Sequence, residues 1–362
     1  MKILFVVTSL NSGGIENYLL RFLRHYETAF YPVVLCKSAQ FGELEKEYAS
    51  IPNIRLFKIK LGYLNFGAYR NFQIFLEKED FDAVCDFTGN FAGLVMKTAA
   101  KAGIKKRVSF YRGSTNRFSE SILKKLYNSW VNNLVLKYST SILSNSEAAF
   151  TYFFKKKDDR FQVIYNGLDS SKFRLDTSQS QARMYLNIPE HAFIIGHTGR
   201  VHFSKNHETI IEVAAILCEK YPDIYFVLAG KNTDQAFNKL LKNKNLTKRF
   251  ILLGYQENIP LILKSFDLYF FPSVTEGQPN ALIEAMISGL PFVASDIAPI
   301  KETVPKKGQE VLFAPKDFVS FAAKIEDFYL KKWKHDSGIT LEVQKKFDAD
   351  EKFKEFFKIL KY

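Results

Sequence analysis

The run Glu276 to Pro291, EGQPNALIEAMISGLP, decides how the rest of the chain is read. It lies between two short apolar runs, DLYFFPS (Asp267 to Ser273) and PFVASD (Pro291 to Asp296). Runs of that length suit strands of a parallel sheet buried on both faces. Gly277 and Pro279 interrupt regular structure, Asn280 is placed to cap a helix, ALIEAMIS carries apolar residues at helical spacing, and Gly289 ends it. A unit of strand, loop, helix and strand turns backbone N–H groups and a helix dipole toward the C-terminal edge of the sheet. Open α/β folds bind ligands there, and anions are favoured.

Glu276 and Glu284 flank this turn. Carboxylates beside a phosphate-binding turn can accept hydrogen bonds from sugar hydroxyls, which is the chemistry of a sugar nucleotide. A solvated helix glutamate and a loop charge explain the same two residues, and residue types alone leave both readings open. The pattern E-G-x-P-N-x-x-x-E-A-x-x-x-G-x-P, however, resembles the signature of retaining glycosyltransferases of the GT-B fold, the family 4 group. That resemblance implies two Rossmann-like, doubly wound α/β domains facing a central cleft. It also implies a donor site that includes Gly277, Gln278, Pro279, Asn280, Ala281, Leu282 and Glu284, with Glu276 holding the sugar hydroxyls and Glu284 the ribose hydroxyls.

Composition agrees with a two-domain globular chain. At 362 residues and 47% apolar content there is material for two cores, and no apolar run approaches the roughly 20 residues of a membrane span. MKILFVVTSL reads as a first strand and not as a signal peptide. Cys36, Cys85 and Cys218 lie in apolar runs without metal-ligand spacing and read as buried free thiols, which suits a cytoplasmic protein. Residues 1 to 165 carry 24 Lys and Arg against 14 Asp and Glu, so +10 of the net +13 is N-terminal. Basic surface there suits anionic lipid headgroups on the inner face of a membrane, a phosphate-bearing acceptor, or solubility alone. No nucleic-acid-binding motif accompanies it.

Along the chain, MKILFVVTSL is followed by a Gly-Gly turn and a helix. Gly13 and Gly14 let the backbone approach a ligand or simply make a tight turn; the resemblance adds that Gly13, Gly14 and Glu16 line the cleft near the donor diphosphate. Strand-like and helical runs then alternate, as a doubly wound domain requires, to an expected boundary near Gly167, with Asp169 to Gln181 as a linker. The helix Ser119 to Tyr138 mixes Lys124, Lys125 and Lys137 with Ile122, Leu123, Leu126, Trp130, Val131, Leu134 and Leu136. Such a stripe is more often the core face of a packed helix than a membrane-surface element.

FIIGHTGRVHFSKNHETIIEVAAILCEKYP opens the second domain, with Arg200 and Lys205 in the loop after a strand. Exposed charges are the commoner fate of such residues, but they match the family's donor-phosphate pair. Gly254 and Tyr255, closing the FILLG strand, are candidates for contact with the nucleotide base. His207, at a helix start, is expected to cap it or face phosphate. The expected domains are residues 1–167 on the acceptor side and 168–340 on the donor side, with 341–362 as a helix returning to the first.

The resemblance implies a metal-independent, same-face transfer from a nucleoside-diphosphate sugar, UDP-linked for preference, to a glycan or lipid-linked acceptor, without a separate cofactor. Arg200, Lys205 and Glu276 would carry the chemistry, in cell-surface polysaccharide or glycolipid assembly. A sugar-nucleotide 2-epimerase and a silent sugar-nucleotide-binding subunit are the alternatives. Where many relatives place a His, this chain reads SFYRGSTNR, which puts Tyr111, Arg112 and Ser114 on the acceptor side, with Arg112 a candidate to bind either donor phosphate or an anionic acceptor.

Overall fold

The computed structural model describes residues 1–63, 65–113, 121–332 and 336–361. Ser114, Ser119 and Glu120 lie outside the described residues. The chain divides into two compact units, residues 1–167 with 349–362, and residues 168–348.

The first unit is a parallel sheet of seven strands, β1 (Lys2–Val7), β2 (Tyr31–Cys36), β3 (Arg55–Lys58), β4 (Ala83–Asp86), β5 (Lys106–Tyr111), β6 (Ser141–Ser144) and β7 (Phe161–Val163), ordered β3-β2-β1-β4-β5-β6-β7. Both faces of β1 are covered, which is why its sequence is a continuous apolar run and not an alternating one. Ile3, Phe5 and Val7 enter one core together with Tyr18, Leu19 and Phe22 of the helix Gly14–His25. Leu4 and Val6 enter the other with Phe72 and Leu76 of the helix Phe66–Glu79.

The helix Ala349–Lys361 completes the first core, with the Phe356 ring 4.7 Å from that of Phe22. The expected returning helix thus begins later than 341. A separate helix, Gly338–Lys346, belongs to the second unit, and the break falls at Phe347 and Asp348. Gly167 is needed at this point because a Cβ there would sit 2.7 Å from the Ala349 Cα.

The second unit has six parallel strands, β8 (Phe193–Thr198), β9 (Ile224–Ala229), β10 (Phe250–Gly254), β11 (Leu268–Phe271), β12 (Phe292–Ser295) and β13 (Leu312–Phe313), ordered β10-β9-β8-β11-β12-β13. In each unit the order runs outward from the first strand and then reverses, so β1/β4 and β8/β11 are switch points where loops diverge above the strand ends. The expected linker is partly structured. Ser170–Phe173 form a 3-10 turn, and Gln179–Tyr185 is a helix opened by a capping box between Ser178 and Gln181.

The amphipathic helix spans Ile122–Tyr138, and only its second half follows the core-face expectation. Val131, Leu134 and Val135 are buried, while Ile122 and Leu123 are each 78% exposed and Leu126 is also exposed. Among the described residues, no helix is long and apolar enough to cross a membrane. Cys36 and Cys85 are buried free thiols, and Cys218 is half-buried.

Candidate functional site

The two loops that leave β8 and β11 stand side by side at the switch point of the second unit. Gly199 leaves β8 with its N–H on the Ala229 carbonyl (2.8 Å). The aliphatic part of Lys205 lies over Gly199, where a Cβ would come 3.3 Å from the lysine Cδ. Lying flat in this way, Lys205 delivers its Nζ to Glu276 Oε1 in the loop beyond β11, at 2.6 Å, and 4.9 Å above the Phe271 ring. Their side chains keep only 18% and 12% exposure, so water screens the pair weakly.

The loop geometry is set by Asn206, which takes the left-handed conformation (φ 54°) open to Asn. Its Nδ2 donates to the Pro272 carbonyl (2.9 Å) and the Pro315 carbonyl (2.6 Å). Val274 N–H donates to the Ser204 carbonyl (2.9 Å), tying the two loops again. Beneath them, Tyr269 and Thr198 share a hydroxyl–hydroxyl bond of 2.8 Å. Burial raises the Tyr269 phenol and its bonds to Thr198 lower it, while Glu284 and Glu276 add to the rise, so both carboxylates lie within electrostatic reach of one buried hydroxyl.

His207 is the first residue of the helix His207–Lys220, but Asn206 holds the cap position and His207 is buried, stacked on Phe237. Burial chiefly, then the nearby Lys205 charge, lowers its pKa to about 4, so it is neutral and apolar in role, not the expected cap. His197 packs edge-on to it and is likewise held neutral, chiefly by burial. Its Nδ1 lies 2.9 Å from the Phe270 carbonyl, which can only accept, so Nδ1 carries the proton and Nε2 turns a lone pair toward Gly199. Sequence reading passed over Asn206 and the Thr198–Tyr269 bond. An Asn directly before a helical run was the available signal for a left-handed residue.

The helix Asn280–Ile287 differs from expectation at its start. Pro279 is the cap residue and Asn280 the first helical one. The Asn280 N–H donates to the Gln278 carbonyl, and those of Leu282 and Ile283 to the Pro279 carbonyl. Of the first four helical residues, only Ala281 has an N–H without a backbone acceptor among the described residues, which leaves that N–H to an anion. Leu282 is wholly buried, which removes it as a ligand contact. Gly277, Asn280, Ala281 and Glu284 are half-buried, and Gln278 and Pro279 are buried. The helix ends as read. Gly289 (φ 74°) and Leu290 donate to the Met286 and Ala285 carbonyls in a Schellman motif.

Arg200 is exposed on the β8 loop. Gly230, at φ 152°, lets that loop pass, since a Cβ there would lie 2.2 Å from the Gly199 carbonyl oxygen and 2.8 Å from the Arg200 nitrogen. Gly254 (φ 66°) closes β10, and Tyr255 beyond it is 67% exposed. In the first unit Gly13 caps the helix Gly14–His25 in extended backbone, and a Cβ there would lie 2.6 Å from Glu16 Oε2; Gly14 is open to solvent.

Tyr111 is 1% exposed, donates its hydroxyl to Asn132 Oδ1 (2.9 Å) and packs on Phe153 and Phe154. A side chain enclosed in this way has nothing to present to an acceptor, so the sequence expectation for it is corrected. Alternation along β5 decided this: Tyr111 points to one face of the sheet and Arg112 to the other. No group of three or more His, Cys, Asp or Glu among the described residues is placed to hold a metal.

Two family models together match most of the chain. Glycosyltransferase Family 4 covers residues 12–172, and Glycosyl transferases group 1 covers residues 178–342. The chain belongs to the family 4 glycosyltransferases. This glycosyltransferase is 29% identical to the Escherichia coli UDP-Gal:alpha-D-GlcNAc-diphosphoundecaprenol alpha-1,3-galactosyltransferase over 79% of its own length and 70% of the relative's. It is 24% identical to the capsular polysaccharide biosynthesis glycosyltransferase CapH of Staphylococcus aureus over 90% of each. In structure it matches Alr3699/HepE of Anabaena, solved with UDP, with TM-score 0.84 over the whole of both chains at 21% identity, which gives it the GT-B fold.

Proposed function

We propose that this glycosyltransferase transfers a sugar from a nucleoside-diphosphate sugar to an acceptor hydroxyl with retention, in the assembly of a cell-surface polysaccharide or glycolipid. The observation that carries the reading is the Lys205–Glu276 pair at the β8/β11 switch point, a cation and a carboxylate side by side where open α/β sheets take their ligands. UDP is the favoured nucleotide, since HepE was solved with UDP and the Escherichia coli relative is named for UDP-Gal.

The main barrier is breakage of the anomeric C–O bond, whose electron pair stays on the leaving phosphate oxygen. Lys205, Arg200 and the Ala281 N–H stabilise that growing charge, an effect realised most in the transition state. The acceptor oxygen bonds to the anomeric carbon on the face the phosphate leaves, and its proton passes to the leaving phosphate oxygen. Glu276 holds sugar hydroxyls and Glu284 ribose hydroxyls. Gly254 and Tyr255 flank the base. No separate cofactor enters this scheme.

The test is titration of UDP and UDP-sugars into the purified protein, followed by NMR of the product anomer. Micromolar to millimolar UDP binding, lost in Lys205→Met, supports the donor site; no binding at millimolar UDP or any other nucleoside diphosphate sinks it. We also place the enzyme on an anionic membrane face, because Ile122, Leu123 and Leu126 are exposed beside Lys124 and Lys125. Flotation with phosphatidylglycerol vesicles checks this. Binding should fall in Leu123→Glu, and equal recovery of variant and wild type would remove it.

A further inference from the structure

We propose that Arg112 is the countercharge of a second binding site, built on the first unit, for a carboxylate or phosphate group of the acceptor. The proposal rests on the transfer reaction above and names the chemistry of its acceptor. Arg112 follows β5 directly, and because Tyr111 pairs with Ser144, its neighbour across β6 is Asn145. Both positions fall on the sheet face of Phe110 and Leu143, the face covered by Tyr18 of the helix Gly14–His25.

The Arg112 guanidinium lies 3.8 Å from the Tyr18 ring centre and 4.9 Å from that of Phe110. It is 9% exposed, and its Nε and Nη1 are buried with no hydrogen-bond partner among the described residues. Asn145 Oδ1 is in the same condition. Each of the two edges by which a guanidinium grips a carboxylate or phosphate includes one of these open nitrogens. The Asn145 amide can turn its Nδ2 toward the same ligand.

The local charge is also that of an anion site. Burial lowers Arg112 to about 10, so it remains protonated at neutral pH. Of the groups acting on it, Tyr18 and Cys85 are held neutral by burial, which leaves Arg21 and Arg112 facing the single carboxylate of Glu16. Ring contacts alone return only part of the cost of taking a guanidinium out of water. A bound anion removes the remainder. A purely structural arginine would instead be expected to have its N–H groups paired, as Arg183 does with the Ser265, Glu190 and Ala192 carbonyls and Asp267.

The probes are malonate and inorganic phosphate, titrated into the full-length protein with melting temperature as the readout. Arg112→Gln should raise the half-saturating concentration by about tenfold or more, the loss of one charge-assisted hydrogen bond. Lys205→Met should leave that concentration unchanged while abolishing UDP binding, and Arg112→Gln should still bind UDP. Response to malonate but not phosphate assigns a carboxylate-bearing acceptor; the reverse assigns a phosphate-bearing one. An anion response that survives Arg112→Gln, or that disappears in Lys205→Met, overturns the proposal. Failure of the wild type to bind UDP overturns the donor site instead, and the malonate arm still reads Arg112. Should Arg112→Gln not fold, Asn145→Ala carries the test, and unchanged malonate binding in it refutes the site.

Discussion

Glu276→Gln separates what the Lys205–Glu276 pair does for the fold from what it does for the ligand. The substitution keeps the shape and removes the charge, leaving Lys205 without its carboxylate partner at 2.6 Å. Breaking a fully buried pair from one side costs about 3–5 kcal/mol, and an exposed pair is worth about 0–1 kcal/mol. With 18% and 12% of the two side chains exposed, a loss of about 2 kcal/mol is expected. In a unit of this size that lowers the melting temperature by about 4–8 °C. A diphosphate should restore it. In the wild type the ligand shares Lys205 with Glu276 and meets that carboxylate's repulsion; in the variant the lysine is open to phosphate. UDP should therefore bind the variant about tenfold more tightly, a difference of about 1.4 kcal/mol. A UDP-sugar should gain less, because the sugar loses its acceptor of hydrogen bonds, and turnover should fall by about a hundredfold or more. Calorimetric titration of UDP and UDP-glucose into wild type, Glu276→Gln and Lys205→Met checks the whole set. If Glu276→Gln weakens UDP binding as much as Lys205→Met does, then the two side chains do not compete for phosphate and the reasoning fails.

Four further outcomes follow from named positions. Gly230→Ala drives a Cβ into the Gly199 carbonyl in a backbone region that only glycine takes readily, so it should cost about 3 kcal/mol or more and weaken UDP binding. Gly103→Ala, also at positive φ but with no atom within 4 Å, should cost only about 1 kcal/mol and leave binding intact. Tyr111→Phe removes one bond to Asn132 and should cost about 1 kcal/mol in urea unfolding with turnover unchanged; a turnover defect without a stability defect would return Tyr111 to the acceptor. His207 has a folded pKa of about 4 against an ordinary 6.5, so between those values the unfolded chain takes up a proton that the folded chain refuses. Stability is full above pH 6.5 and falls by about 2 kcal/mol on going from pH 7 to 5 through this group. His207→Phe should remove this group's part of the slope and leave the part that buried His197 contributes in the same direction.

What was legible in the sequence and what was not divide along physical lines. The loops after β8 and β11 could be read because short apolar runs, glycines, Pro279 and the two carboxylates are local signals, and the switch point then brings the loops together whatever their details. Three misreadings came from information that is not local. The helix Ile122–Tyr138 has one apolar periodicity along its length, but whether a stripe is covered depends on what lies opposite, and only its second half is covered. Leu282 stands in the middle of a ligand-binding motif and still faces the core, because helical spacing places it on the buried side. Residues 341–362 read as one helix because nothing in their composition marks Phe347 and Asp348 as the place where the chain leaves one unit for the other.

Arg112 is the most instructive case, because its residue type argued for exposure and its position for burial. Alternation along β5 requires one of Tyr111 and Arg112 to face each side of the sheet, and helices cover both sides. A strand that must bury an arginine would be replaced by one that buries an apolar residue if packing alone were at stake, since a well-packed apolar side chain is often as stable or more so. The melting temperature of Arg112→Met decides between packing and binding. Methionine keeps the contact with Tyr18 and Phe110 and removes the desolvated charge, so the variant should melt no lower than the wild type while losing its response to malonate. A lower melting temperature with malonate binding intact would make Arg112 a packing residue after all, and would leave the first unit without its anion site.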